Sequence, residues 1–261
     1  MPTPDTSRPL WLNQRLGDSS GRGLVVALVD SGCAPDLKPL DGKRFVDDAR
    51  PLELSVGQDT ADRIGHGTAC ARIVRSIAPQ VDLLPLRVFG KRLETSTEVV
   101  VAALDHAVER GARIINLSLG SPLAEAEAPF RAACERAHRA GCVVVSAMPL
   151  GAEKIFPAVF DTVLAVTAGR FTNVHDLERV PGGPANFAAC EGSPVTRDLP
   201  LGRSSGSSFA APHVSGLVAL LLERYPSSRP EQIRRMLDEL SHVSGSRLVE
   251  VDGHEFSGER V

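Results

Sequence analysis

The feature that most constrains this chain is an apolar run, Leu24 to Val29, that stops at Asp30-Ser31-Gly32. An unbroken apolar segment of that length reads as a parallel strand buried on both faces, and a carboxylate at its end stands on a rigid mount. Parallel strands need crossover connections, usually helices. Two later segments supply helix starts. His66 lies between Gly65 and Gly67, just before a helical stretch from Thr68 to Ser76. Ser208, in Ser-Gly-Ser-Ser-Phe-Ala-Ala-Pro-His-Val, precedes a long apolar helix from Phe209 to Leu222, with Pro212 expected in its first turn.

These residue types fit one chemistry. A serine hydroxyl is a poor nucleophile until an imidazole takes its proton, and the imidazole needs a carboxylate to fix its tautomer and stabilise its cation. The dipole at a helix start disfavours protonated His66, which suits a base, and leaves the Ser208 amide free to face an oxyanion. Each segment alone also has a plain structural reading. Asp30 would be a turn residue, His66 a loop histidine, and Ser207-Ser208 an ordinary helix cap.

Taken together, and in the order Asp, His, Ser, the three segments resemble the subtilisin-like family, the subtilases of peptidase family S8. The resemblance covers roughly residues 10 to 225. It implies an α/β, three-layer fold with a mostly parallel central sheet and helices on both faces. It also implies a serine endopeptidase in which Asp30, His66 and Ser208 are catalytic and the partner is a peptide or protein substrate. Ala78 to Leu83 followed by Leu86-Arg87-Val88 resembles the family's strand after the histidine helix. Ile114 to Gly120 resembles the segment that holds substrate as an added strand, so Ser118, Leu119 and Gly120 are expected to border the pocket.

The sequence departs from the family pattern at informative places. Ala69 stands where the motif has a second histidine. Cys70, one turn after His66, matches a position where a thiol-sensitive subgroup has cysteine; its plain reading is a small buried apolar residue. The family's oxyanion asparagine follows a valine-rich strand. Here Val143-Val144-Val145 leads to Ser146-Ala147-Met148-Pro149-Leu150-Gly151, and that position falls on Pro149 or Leu150, neither able to donate. Loss of one such donor costs on the order of 10²- to 10³-fold in turnover. The Ser208 amide and the Ser207 hydroxyl are the expected substitutes. Asp36 resembles a carboxylate that helps bind calcium in many relatives, but the partner loop is missing, and one carboxylate does not make a site of six to eight oxygens. No metal and no cofactor are expected.

Composition agrees with one catalytic domain over residues 1–261. At 43% hydrophobic and 4% aromatic, 261 residues are enough for a sizeable aliphatic core. Thr95 to Glu98 reads as a capping box for a helix closed by Gly111, before a strand from Ala112 to Asn116. A second helix carries Phe130, Ala133, Cys134 and Ala137, ahead of a strand from Cys142 to Ala147. Ser228 and Glu231 are expected to cap a last helix bearing Ile233, Met236, Leu237 and Leu240.

The balance of 29 basic and 32 acidic residues, net −3, offers no basic face and speaks against nucleic acid. No apolar stretch before Asp30 resembles a signal peptide or membrane span, and only 29 residues precede Asp30, so neither signal nor propeptide is expected. Cys33, Cys70, Cys134, Cys142 and Cys190 lie among apolar neighbours without metal-ligand spacing and read as buried thiols of a cytoplasmic protein. His106, His138 and His213 read as packing or surface histidines. Gly206 to Ala210 lacks the final glycine of the α/β-hydrolase elbow. A compact protease without a restraining propeptide points to a slow enzyme with one dedicated precursor. The alternative is an inactive relative that binds peptides without cutting them.

Overall fold

The computed structural model describes residues 5–196 and 206–241. Nine strands form one sheet: β1 (Val25–Asp30), β2 (Lys43–Asp47), β3 (Arg50–Gly57), β4 (Asp82–Arg87), β5 (Ile114–Leu117), β6 (Val143–Ala147), β7 (Val163–Gly169), β8 (Leu177–Arg179) and β9 (Phe187–Cys190). Their order is β3-β2-β4-β1-β5-β6-β7-β9-β8. The β2–β4–β1–β5–β6–β7–β9 core is parallel, while β3 and β8 close the two edges antiparallel. Six helices accompany them: α1 (Leu10–Leu16), α2 (His66–Ile77), α3 (Thr97–Glu109), α4 (Glu127–Arg139), α5 (Ser207–Arg224) and α6 (Pro230–Ser241).

Strand alternation separates the two faces. In β1, Val26 and Leu28 join the core beneath α2 and α5, whereas Ala27 and Val29 join the core beneath α3 and α4. The result is three layers with two apolar cores, as the sequence patterns predict. From β1 the chain passes through β2 and β3 to α2 on one face, and from β5 it runs to α4 on the other. The crevice between the carboxyl ends of β1 and β5 is therefore the topological switch point, the usual place for a ligand in an open α/β sheet.

Three local expectations need correction. The α3 cap is Ser96, whose Oγ accepts from the Val99 amide at 3.4 Å, so Glu98 falls in the first turn and no reciprocal box forms. Pro230 opens α6, and the Gln232 side chain reaches back to the Arg229 amide at 2.8 Å, displacing Ser228 from the capping role. Helix α5 starts at Ser207, not Phe209, which makes Pro212 its sixth residue instead of a first-turn one. Ser205, the first residue of the serine motif, lies outside the described residues.

Candidate active site

Asp30 closes β1 and its side chain is fully buried. Its Oδ1 accepts from the Ser31 amide at 2.7 Å and lies 2.8 Å from Nδ1 of His66. A carboxylate can only accept, which puts the proton on Nδ1 and leaves Nε2 as the free base. Among the described residues Oδ2 of Asp30 has no hydrogen-bond partner, so His66 is the group that answers its charge.

His66 is the first residue of α2 and is almost fully buried. Burial lowers its basicity, but the Asp30 carboxylate more than compensates, so the imidazole titrates well above the ordinary histidine range. This overturns the expectation that the helix start would disfavour its cation. A helix terminus contributes about 0.3–1 kcal/mol, less than an adjacent buried carboxylate. The approach of His66 to Asp30 needs a glycine at 67. A Cβ there would collide with the Gly32 carbonyl and lie 3.2 Å from Cβ of Asp30.

Ser208 is the second residue of α5, so its amide has no intrahelical acceptor. The ring of Phe209 packs against that of His66 with centroids 5.0 Å apart. Pro212 has no N–H to give the Ser208 carbonyl four residues earlier, which is thereby released from the helix ladder. That carbonyl instead accepts from the Ser118 hydroxyl at 2.7 Å, with the Cys70 thiol 3.7 Å away. Ser118 in turn accepts from the Asn116 amide at 2.9 Å, and the Asn116 oxygen accepts from Ser215 at 2.9 Å. A buried polar chain thus runs from α5 through β5 and back to the backbone of Ser208. Asn116, Ser215 and Pro212 escape a reading by motif alone, although a proline four residues after a candidate nucleophile is a signal for a freed carbonyl.

The remaining residues fall as follows. Ser118, Leu119 and Gly120 leave β5 at the switch point; the Ser118 hydroxyl faces inward, and a Cβ on Gly120 would meet the Ile155 side chain. Cys70 is fully buried, burial pushes its thiol above the ordinary range, and its sulfur lies 4.0 Å from Nδ1 of His66. That matches its plain reading as a packing residue. After β6 the chain turns at Pro149 and Leu150, with Leu150 55% exposed and neither side chain able to donate a hydrogen bond. Asp36 pairs with Arg72 at 3.8 Å. Among the described residues, the one group of three ligating side chains within 4.8 Å is Asp30, His66 and Cys70, the site itself. His106 stands 3.5 Å from Glu109, His138 stands 3.0 Å from Glu231, and buried His213 lies 2.8 Å from the Phe209 carbonyl. All five cysteines are unpaired and buried.

Two charged residues near the site were not expected from motifs. Arg87, the Cα partner of Asp30 across the sheet, is fully buried, pairs with Asp48 and lies 3.5 Å from Asp59. Asp62 precedes α2 and accepts from the amide of its cap residue Gly65 and from that of Thr68 in its first turn. A carboxylate in the turn before a helix was the available signal for the second.

The Subtilase family model matches residues 21–245. Subtilisin Savinase of Lederbergia lenta is 31% identical over 243 residues, spanning 87% of this chain and 86% of its own length. The major intracellular serine protease of Bacillus subtilis is 30% identical over 245 residues, spanning 84% of this chain and 73% of its own. Among solved structures, the nisin leader peptidase NisP from Lactococcus lactis shares the fold with a TM-score of 0.65 at 21% identity, over 83% of this chain and 82% of that one.

Proposed function

The chain belongs to the subtilase family of serine endopeptidases, and from that premise we propose that it is a slow, selective intracellular processing protease that removes a leader from a precursor. The observation that carries the mechanism is the buried His66–Asp30 pair at 2.8 Å. In this reading Ser208 Oγ attacks the scissile carbonyl carbon while His66 Nε2 takes the hydroxyl proton. Asp30 holds Nδ1–H and stabilises the imidazolium. The proton then passes to the leaving amine as the C–N bond breaks, and water, activated by the same imidazole, releases the acyl group from Ser208. The Ser208 amide and the Ser207 hydroxyl receive the oxyanion, in place of the asparagine that Pro149-Leu150 cannot supply. Ser118 to Gly120 border the substrate strand. The whole chain acts as one catalytic domain.

Leader removal is supported by the fold shared with the nisin leader peptidase NisP. The precursor matured in quinohemoprotein amine dehydrogenase biogenesis is one candidate client. A cytoplasmic setting is supported by the intracellular Bacillus relative and by five unpaired cysteines. No described helix is long and apolar enough to cross a membrane. A second reading, a peptide-binding module that leaves its ligand intact, is favoured by one observation, the missing oxyanion asparagine.

A fluorophosphonate separates the two. Intact mass and peptide mapping are expected to place one adduct on Ser208, absent from Ser208→Ala; an unlabelled wild-type chain that also leaves a leader-bearing precursor uncut sinks the protease reading. Retention of full turnover by Ser207→Ala would remove the hydroxyl from the oxyanion site.

A further inference from the structure

Asp62 stands four residues before His66 and makes no contact with it among the hydrogen bonds of the site, yet its two oxygens gather most of the polar groups around the start of α2. Oδ1 accepts from the Ile64 amide at 2.9 Å, the Gly65 amide at 2.7 Å and the Ser31 hydroxyl at 2.8 Å. Oδ2 accepts from the Thr68 amide at 2.8 Å and the Thr68 hydroxyl at 2.6 Å. The bonded groups belong to both carriers of the buried pair. Ser31 follows Asp30, and its Oγ, besides donating to Asp62, accepts from the Gly67 amide at 2.9 Å. Thr68 lies two residues after His66, and its Oγ1 accepts from the Ala34 amide at 3.1 Å. One carboxylate therefore joins the loop leaving β1 to the first turn of α2, with Asp30 on one side of the joint and His66 on the other.

Helix α2 needs such a group. Its own cap residue, Gly65, has no side chain, and the first amides of a helix have no intrahelical acceptors. Asp62 and Ser31 take the Thr68 and Gly67 amides, and the negative charge complements the positive end of the helix dipole. Burial raises the Asp62 carboxyl, but the Thr68 hydroxyl and the Gly65, Ile64 and Thr68 amides outweigh it, so the group is held below the usual carboxylate range and stays ionised.

We propose that Asp62 is a positioning residue for catalysis, which sets the His66 imidazole against Asp30 by clamping the β1 exit loop to the start of α2. The proposal rests on the reading of His66 as the base for Ser208. Its effect is on orientation, and a displacement on the order of 1 Å in a catalytic group costs about 10²-fold. An asparagine at 62 keeps one accepting oxygen but turns an NH₂ group toward donors, so the clamp is lost on one side while the size is conserved.

The test compares Asp62→Asn with wild type in steady-state kinetics on a cleavable peptide ester, in the rate of fluorophosphonate labelling at Ser208, and in the downfield proton resonance of His66 Nδ1–H. Expected results are a fall in kcat of about 10- to 100-fold, KM within about twofold, slower labelling, and a shifted or exchange-broadened resonance, with unfolding still cooperative. Unchanged kcat, a loss confined to KM, or an unmoved resonance overturns the proposal. If Asp62→Asn does not fold, Thr68→Val, which removes one of the two bonds to Oδ2, is read in the same way, and Thr68→Ser is expected to restore the wild-type values. A wild-type chain without labelling would refute the protease reading instead, and the resonance would still decide the role of Asp62.

Discussion

At the residue scale the site is governed by one buried contact, His66 Nδ1 to Asp30 Oδ1 at 2.8 Å. Burial lowers the basicity of His66 but the Asp30 carboxylate outweighs it, so the imidazole is freed as a base at a higher pH than an ordinary histidine. Accordingly kcat/KM is expected to rise with pH along a limb whose midpoint lies above 6.5, and a pH–rate profile in the free-enzyme regime reads it directly. A midpoint at or below 6.5 would mean that the carboxylate does not outweigh burial. The residue types of this pair are legible in the sequence, since an aspartate at a strand end and a histidine at a helix start are local patterns. The direction of the histidine's pKa is not. It depends on a contact between positions 36 apart in the chain, and the local helix-end argument gives the opposite sign.

At the element scale the candidate nucleophile and base ride on two helices, α5 and α2, that cross in close contact. A Cβ at Gly216 would lie 2.5 Å from Cβ of Ile77. Gly216→Ala is therefore expected to spread the helices and cost about 1–3 kcal/mol from overpacking, with kcat falling as Ser208 moves from His66. Denaturant unfolding and kcat measure the two effects. An equally stable, equally active variant would mean that Ile77 can yield. Helix faces were readable from periodicity: Phe130, Ala133, Cys134 and Ala137 are all buried. Helix starts were less so. Ser96 replaces the expected capping box, Arg229 and Gln232 replace Ser228 and Glu231, and the Ser207 start turns Pro212 from a first-turn residue into the cause of a freed Ser208 carbonyl. Caps are single hydrogen bonds, and several nearby side chains compete for each of them.

Across the whole molecule, the sheet order brings Asp30 and Ser118 to the two sides of the switch point, and two histidines, His213 on α5 and His175 between β7 and β8, are buried. Burial lowers His213 to about 4, with a part from neighbouring His175, and burial chiefly lowers His175 to about 4 as well. An unfolded chain binds these protons near pH 6.5. Stability from both groups is thus complete above about pH 6.5 and is lost as the pH falls toward 4, on the order of 3 kcal/mol from each. Melting followed from pH 7 to pH 4 is expected to show this loss, and His213→Asn, which keeps a donor toward the Phe209 carbonyl, to remove about half of the slope. An unchanged slope would place the acid sensitivity elsewhere. The sequence by itself determined the fold class, the strand ending at Asp30 and the helices that carry His66 and Ser208, because apolar period and glycine punctuation are properties of short segments. Only the tertiary structure decided the raised basicity of His66, the Ser118 lock on the Ser208 carbonyl and the Asp62 clamp, because each is a hydrogen bond or charge contact that exists only once the chain has brought separate elements within 3 to 4 Å.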